Sequence, residues 1–319
     1  PAVTDSIEAA AAGAPELWPG LVPGNESFLF RLGDAAAVER AMARAAHVVR
    51  LPFRVTRVSA NPMEPRSALA THDPIEDRYT LTTGTQLPHV MRNEIAQFAL
   101  GVPSNRLRVI SPDVGGGFGL RGKLFPESAM VLWAAKRLGR PVKWTDDRSG
   151  SFLSDQHGRD HETTAELALD AQGKFLAVRL TSFANMGAYL ATVAPLMGTG
   201  NFVKNVQSNY ATPLIEVNTR CMLTNTTPVS AYRGAGRPEA TFLIERLVDV
   251  AARETGIDKI AIRRRNFIRP DQFPYQTPVA LQYDSGDYFS TLDMAMKASD
   301  WAGFEARRAA AAAHGKLRG

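Results

Sequence analysis

Cysteine is almost missing from this chain: Cys221 is the one thiol among 319 residues. A single thiol excludes disulfides within the chain. It also excludes an iron–sulfur cluster held by this chain alone, because such clusters are built on about four thiolates. Long apolar runs are missing too. The longest, residues 129–135, falls far short of the roughly 20 residues a helix needs to cross a bilayer. No basic stretch followed by an apolar segment opens the sequence, so no export signal is read there and a cytoplasmic location is the default expectation. A strong charge imbalance is likewise absent, with 37 Lys and Arg against 32 Asp and Glu, a net +5. The densest basic cluster, Arg263 to Arg265 followed by Arg269, is interleaved with Ile257, Ile260, Ile262, Phe267 and Ile268. That pattern reads as a partly buried helix with a solvated face rather than a nucleic-acid surface, with a phosphate-binding patch as the alternative.

What is present suffices for a packed core. Hydrophobic residues make up 45% of the chain, which excludes wholesale disorder. At roughly 100–200 residues per domain, the length implies two domains or one large one. Residues 1–30 are rich in Gly, Pro and Ala and read as an extended arm or linker. Asp34 is placed to cap a helix with apolar positions at Val38, Ala41, Met42 and Ala45. Alternation predicts strands over 51–60 and 78–83. Residues 93–100 read as a helix stopped at Gly101, and 106–111 as a strand. A glycine-rich loop then covers 113–123, an apolar helix covers 125–138, and a strand follows at 141–145, giving a β–loop–α–β unit. Strands at 161–169 and 175–184 flank a turn at 170–173, and another strand lies at 215–223. A second Gly/Arg-rich loop at 231–239 opens a long helix at 240–254, and one final helix is predicted over about 290–313. Hairpins mixed with β–α units argue for an α+β chain, mixed sheets with flanking helices, rather than a doubly wound sheet.

Two loops carry the chemistry. The first, DVGGGFGLRGK at 113–123, has five glycines in its eight residues 115–122. Backbone free of Cβ can approach a ligand closely and present several N–H groups to a phosphate or oxo group. The bland alternative is a tight structural turn. Within it, Gly117 to Gly122 matches the dinucleotide pattern G-x-G-x-x-G, but Pro112 and the following residues separate it from the strand, and the acidic pair Asp146-Asp147 lies further on than the pattern asks. The second loop, AYRGAGRPEA at 231–240, pairs Gly234 and Gly236 with Arg233 and Arg237. Forked guanidinium donors suit phosphate or oxo groups. The two loops together suggest one extended anionic ligand held at two points. NPMEPR at 61–66 and TGTQ at 83–86 are weaker signals, Gln86 being placed to point an amide at a ligand. His157 and His161 are four residues apart in a β-like context and read as an ordinary exposed strand, with a metal site as the alternative. Cys221 reads as a packed thiol.

DVGGGFG followed by AYRGAGRPEA, with TGTQ upstream and RRRNFI, FPYQTP and YDSGDY downstream, resembles the large molybdenum subunit of the xanthine oxidase family of hydroxylases. The bacterial carbon-monoxide-dehydrogenase-like and aldehyde- or N-heterocycle-oxidising branch is the most similar. The resemblance implies a molybdenum–pterin cofactor, in its cytosine dinucleotide form, with 2Fe-2S clusters and FAD on partner subunits. By this resemblance Gln86, Gly116, Gly117, Phe118, Gly119 and Arg233 contact the cofactor, and no side chain ligates metal directly. Gly122, Asn201 and Ala235 fall at substrate-pocket positions. None is the glutamate, arginine or phenylalanine that purine-oxidising members carry there, so xanthine is not the expected substrate. Gly234 stands where a copper-binding cysteine would be, so a molybdenum–copper site is not expected. Small aldehydes and N-heteroaromatics remain.

The family's general-base glutamate, in a G-x-G-E segment, has no counterpart in these residues. The chain therefore resembles the first molybdenum-binding domain, residues 31–319, divisible into 31–150 and 151–319, and no turnover is expected from it alone. A second molybdenum-binding half, an iron–sulfur subunit and an FAD subunit, assembled as a dimer of heteromers, are the implied partners. The rival readings are a nicotinamide-dependent dehydrogenase using Gly117 to Gly122, and a non-catalytic assembly module.

Overall fold

The computed structural model describes residues 2–122, 124–279 and 281–319. The segment read as an extended arm holds the short helix α1 (Ser6–Ala9), capped by the Asp5 carboxylate, and runs into strand β1 (Glu26–Leu32). Asp34 accepts from the Ala37 amide and starts α2 (Ala35–Arg44), whose buried face is Val38, Ala41 and Met42. Strand β2 (His47–Ser59) follows, four residues longer at its start than alternation predicted.

A smaller unit comes next. It holds β3 (Ser67–Asp73), β4 (Arg78–Thr83), α3 (Pro88–Glu94) with a π-helical extension over Ile95–Leu100, β5 (Leu107–Ile110), α4 (Pro126–Leu138), β6 (Val142–Thr145) and α5 (Arg148–Ser154). Its four strands lie in the order β5-β4-β3-β6, with only β4 and β5 paired in parallel. The predicted β–loop–α–β unit therefore joins strands at opposite edges of the sheet. Val131, Leu132 and Ala135 of α4 pack with Met91 and Ile95 against Ala70 and Leu81.

The larger sheet follows from β7 (His157–Leu169) and β8 (Phe175–Gly187), a hairpin closed through Asp170, whose amide donates to the Lys174 carbonyl at 3.0 Å. The short helices α6 (Ala194–Met197) and α7 (Gly200–Val203) lead to β9 (Ile215–Leu223). The order is β1-β9-β8-β7-β2, with β8 and β9 parallel and the rest antiparallel. This is the mixed-sheet α+β architecture the sequence implied.

Helix α8 (Arg237–Thr255) lays Ala240, Leu243, Ile244, Leu247, Val248 and Ala251 on this sheet, a spacing of three and four that puts them on one helical face. Helix α9 (Lys259–Asn266) packs through Ile262. A two-stranded ribbon, β10 (Tyr275–Gln276) with β11 (Gln282–Tyr283), precedes α10 (Tyr288–Ala298) and α11 (Phe304–Ala312). The single final helix expected from sequence is broken at Asp300, whose φ of 47° is left-handed.

Candidate cofactor site

TGTQ sits at the end of β4. Thr85 is buried, and its hydroxyl donates to the Arg121 carbonyl at 2.9 Å. The Gln86 backbone N–H donates to the same carbonyl at 3.0 Å. These bonds fix where the exposed Gln86 side chain begins. Its Oε1 then accepts the Gly119 N–H at 2.9 Å. The amide oxygen is thereby committed, and the Nε2 donors find no acceptor among the described residues.

The glycine loop folds back on that amide. A Cβ at Gly117 would lie 2.6 Å from Gln86 Cδ, and one at Gly119, where φ is 102°, would lie 2.4 Å from the Ala231 carbonyl oxygen. Such approaches leave no room for a side chain. Phe118 is exposed with φ 54°, an uncommon state for a bulky residue and a mark of local constraint. The loop closes in a 3-10 turn over Leu120–Gly122. The N–H groups of Gly116, Gly117 and Phe118 find no acceptor among the described residues.

The second loop meets the first directly. The Arg233 N–H donates to the Phe118 carbonyl at 2.9 Å, and the Arg233 guanidinium stands 5.9 Å from the Phe118 ring centre. Arg233 is exposed and has no carboxylate partner among the described residues. Behind it, Arg159 pairs with the buried Glu239 carboxylate at 2.7 Å, donates to the Arg233 carbonyl at 3.2 Å and lies over Tyr232. Gly236 opens α8, with its Cα hydrogens against the Met197 carbonyl and Asn201.

Gln86, Gly116, Gly117, Phe118, Gly119 and Arg233 are thus brought to one place. Of the substrate-pocket positions, Ala235 (φ 51°) and Asn201 on α7 flank Gly236, while Gly122 lies against Leu87 on the other side of the glycine loop. Four side chains that organise the site escaped the sequence reading: Glu64, Arg121, Arg159 and Glu239. Their charges are paired within the protein, and only tertiary structure reveals such pairing.

One expectation is corrected, and Cys221 is packed as expected. The strand bearing His157 and His161 is not exposed: β7 is internal to the sheet and His161 is 3% exposed. Burial pushes the His161 pKa down, and His157 shifts the same way for the same first cause. No cluster of three potential metal ligands is found among the described residues. In the basic run, Arg263 pairs with Glu245 and Asp249, Arg264 with Asp293 and Arg269 with Asp271, so those charges are neutralised internally. Cys221 is fully buried, and burial pushes its thiol pKa up to about 12.

The donor set has a definite chemistry. Three backbone N–H groups and a guanidinium, unpartnered among the described residues, lie with a neutral amide on two contacting loops, a donor set that suits a strongly anionic ligand bearing oxo or phosphate oxygens. The profile of the molybdopterin cofactor-binding domain matches residues 21–267. The chain belongs to the molybdopterin cofactor-binding domain family.

Its relatives agree. It is 35% identical to the carbon monoxide dehydrogenase large chain of Hydrogenophaga pseudoflava, over 97% of this chain and 40% of that one. It is 36% identical to the gamma subunit of the 6-hydroxypseudooxynicotine dehydrogenase complex of Paenarthrobacter nicotinovorans, over 92% of this chain and 37% of that one. Quinoline 2-oxidoreductase from Pseudomonas putida 86 superposes with a TM-score of 0.91 at 34% identity, over 99% of this chain and 40% of that one. The chain thus spans about 40% of the length of these relatives, and it shares with them the molybdopterin cofactor-binding domain. This overturns the nicotinamide reading of Gly117 to Gly122. The physical reason lies in the loop: Gly117 and Gly119 are needed for contacts with Gln86 and Ala231, and α4 starts four residues beyond the motif.

Proposed function

We propose that this chain forms one half of the molybdenum–pterin site of a hydroxylase that oxidises an aldehyde or N-heteroaromatic substrate with water-derived oxygen. The observation that carries this reading is the 2.9 Å bond from the Arg233 N–H to the Phe118 carbonyl. It joins the two anion-seeking loops into one cradle beside the Gln86 amide.

When bound, the molybdenum–pterin group supplies the two-electron redox chemistry. The residues of this chain bind and orient it. Gly116, Gly117 and Phe118 offer backbone N–H donors to its oxygens. Gln86, its own oxygen held by Gly119, offers Nε2 as a neutral donor. Arg233 balances the cofactor's negative charge. Preorganised donors of this kind cost no rearrangement when charge develops. The small Ala235 and the uncharged Asn201, both beside Gly236, leave space for an apolar ring or a small carbonyl compound; Gly122, against Leu87, lies apart from them.

The same reading assigns the cofactor its cytosine dinucleotide form. It places 2Fe-2S clusters and FAD on partner subunits, the general base on a second molybdenum-binding half, and the assembly, a dimer of heteromers, in the cytoplasm. Residues 31–319 are then the first cofactor-binding domain; the two parts are not 31–150 and 151–319, because β2 pairs with β7 across that boundary. The test is metal loading of the assembly built with Arg233→Ala. Second-sphere changes of this kind cost about ten- to a hundredfold in metal affinity, so molybdenum content is expected to fall clearly below wild type. Unchanged loading would favour the non-catalytic assembly module.

A further inference from the structure

Resting on that reading, we propose that Glu64 and Arg121 are a positioning pair that sets the spacing between the glycine loop and Gln86. Neither is among the donors of the cradle, and both hold the loop that carries those donors.

Glu64 holds the entrance of the loop. Its backbone N–H donates to the Gly115 carbonyl at 3.1 Å, and its Oε2 accepts the Gly115 N–H at 2.9 Å. The approach is close: a Cβ at Gly115 would lie 2.5 Å from Glu64 Cβ. Arg121 holds the exit. It is 3% exposed, and its Nη2 donates to the Glu64 carbonyl and, at 3.0 Å, to the Pro65 carbonyl. The same Nη2 lies 3.4 Å from Glu64 Oε2. The Arg121 carbonyl in turn receives the Gln86 N–H and the Thr85 hydroxyl. The Glu64 carboxylate thus holds Gly115, the Arg121 guanidinium holds residues 64–65, and the Arg121 backbone carbonyl holds Gln86, closing a circuit around residues 115–121.

The circuit is anchored from outside. Arg148 donates to the Pro62 and Met63 carbonyls at 2.5 and 3.2 Å. Arg66 is pinned by Asp155 at 2.6 Å and Glu127 at 2.9 Å. Residues 62–66 are therefore held by Arg148 at one end and through Arg66 at the other. A buried guanidinium with its Nε unpartnered among the described residues is a costly element to keep for a turn alone. Its burial is accounted for if the loop must hold one spacing.

The experiment uses the chain assembled with the second molybdenum-binding half, in wild-type, Glu64→Ala, Glu64→Gln and Arg121→Lys forms. Two quantities are read: amide hydrogen exchange over 85–87 and 115–122, and molybdenum per chain. Glu64→Ala is expected to raise exchange in those segments by about tenfold while β7 and β8 keep theirs, and to lower molybdenum retention. Glu64→Gln keeps an acceptor for Gly115 and is expected to restore both toward wild type. Arg121→Lys keeps the charge but loses the fork, and is expected to loosen the same segments. It decides the matter should Glu64→Ala fail to accumulate. Unchanged loop exchange, an equal rise in β7 and β8, or no restoration by Gln would overturn the proposal. Absence of molybdenum from the wild-type assembly would instead sink the proposed function, while the exchange comparison would still judge the pair.

Discussion

Gly119 is the residue on which the two loops turn. Its left-handed φ and its contact with the Ala231 carbonyl mean that Gly119→Ala must both strain the backbone and push the loops apart. A stability loss of about 1–3 kcal/mol is expected from the strain, measured by urea denaturation, together with lost cofactor loading. Gln86 is a contrasting case. It is exposed, so Gln86→Ala is expected to leave the unfolding free energy within about 0.5 kcal/mol of wild type while releasing the Gly119 N–H. The two substitutions separate the fold from the site.

His161 gives a pH signature at the same scale. Its folded pKa lies below its unfolded value because burial disfavours the charged ring. Above the unfolded value both states are neutral and its contribution is unchanged with pH. As pH falls below about 6.5, the unfolded chain takes up the proton and the folded chain does not, so stability declines. Glu239 and Asp160 oppose this shift, while Arg159 adds to it. Thermal midpoints are expected to fall between pH 7 and pH 5, with a shallower slope in His161→Leu. A slope identical to wild type would show that other groups set the acid limit.

At the scale of elements, the ion cluster around Arg66 joins α4, the end of β6 and the end of α5. Its guanidinium reaches Glu127, Asp146 and Asp155, and the Phe125 ring lies 3.9 Å away. Arg66→Met would leave the buried Asp155 carboxylate without its partner. A loss of about 3–5 kcal/mol is expected, again measurable by denaturation. Much of this layer was legible in the sequence where a local signal existed. Asp34 capping α2, Gly101 ending a helix, and the turn at 170–173 are local chemistry, and the structure has them. The strands β1 and β3 carried no such signal. β1 lies in a Gly- and Pro-rich stretch and gains its partner only from β9, nearly 200 residues away. The order β5-β4-β3-β6 depends on non-local pairing in the same way. In the site, the two glycine loops and Arg233 stood out from their residues, whereas Gln86 was a weaker signal and Phe118 was assigned through the family resemblance. Glu64, Arg121 and Arg159 did not stand out, because a charge is ordinary until its buried partner is known.

At the scale of the molecule, the two sheets contribute one wall each to the cradle. The smaller sheet offers Gln86 and the glycine loop from the ends of β4 and β5. The larger offers the 231–236 loop between β9 and α8. The contact at Gly119 and the bond from Arg233 to Phe118 make the anion cradle a property of their joint packing rather than of either motif. A ligand that spans both loops is then expected to stabilise the whole chain by mass action. The most direct test is elemental analysis of molybdenum on this chain purified with a second molybdenum-binding half, with the released pterin nucleotide identified. About one molybdenum per chain is expected, as for a site whose ligand is retained through purification. A purified complex containing both halves but no molybdenum would contradict it.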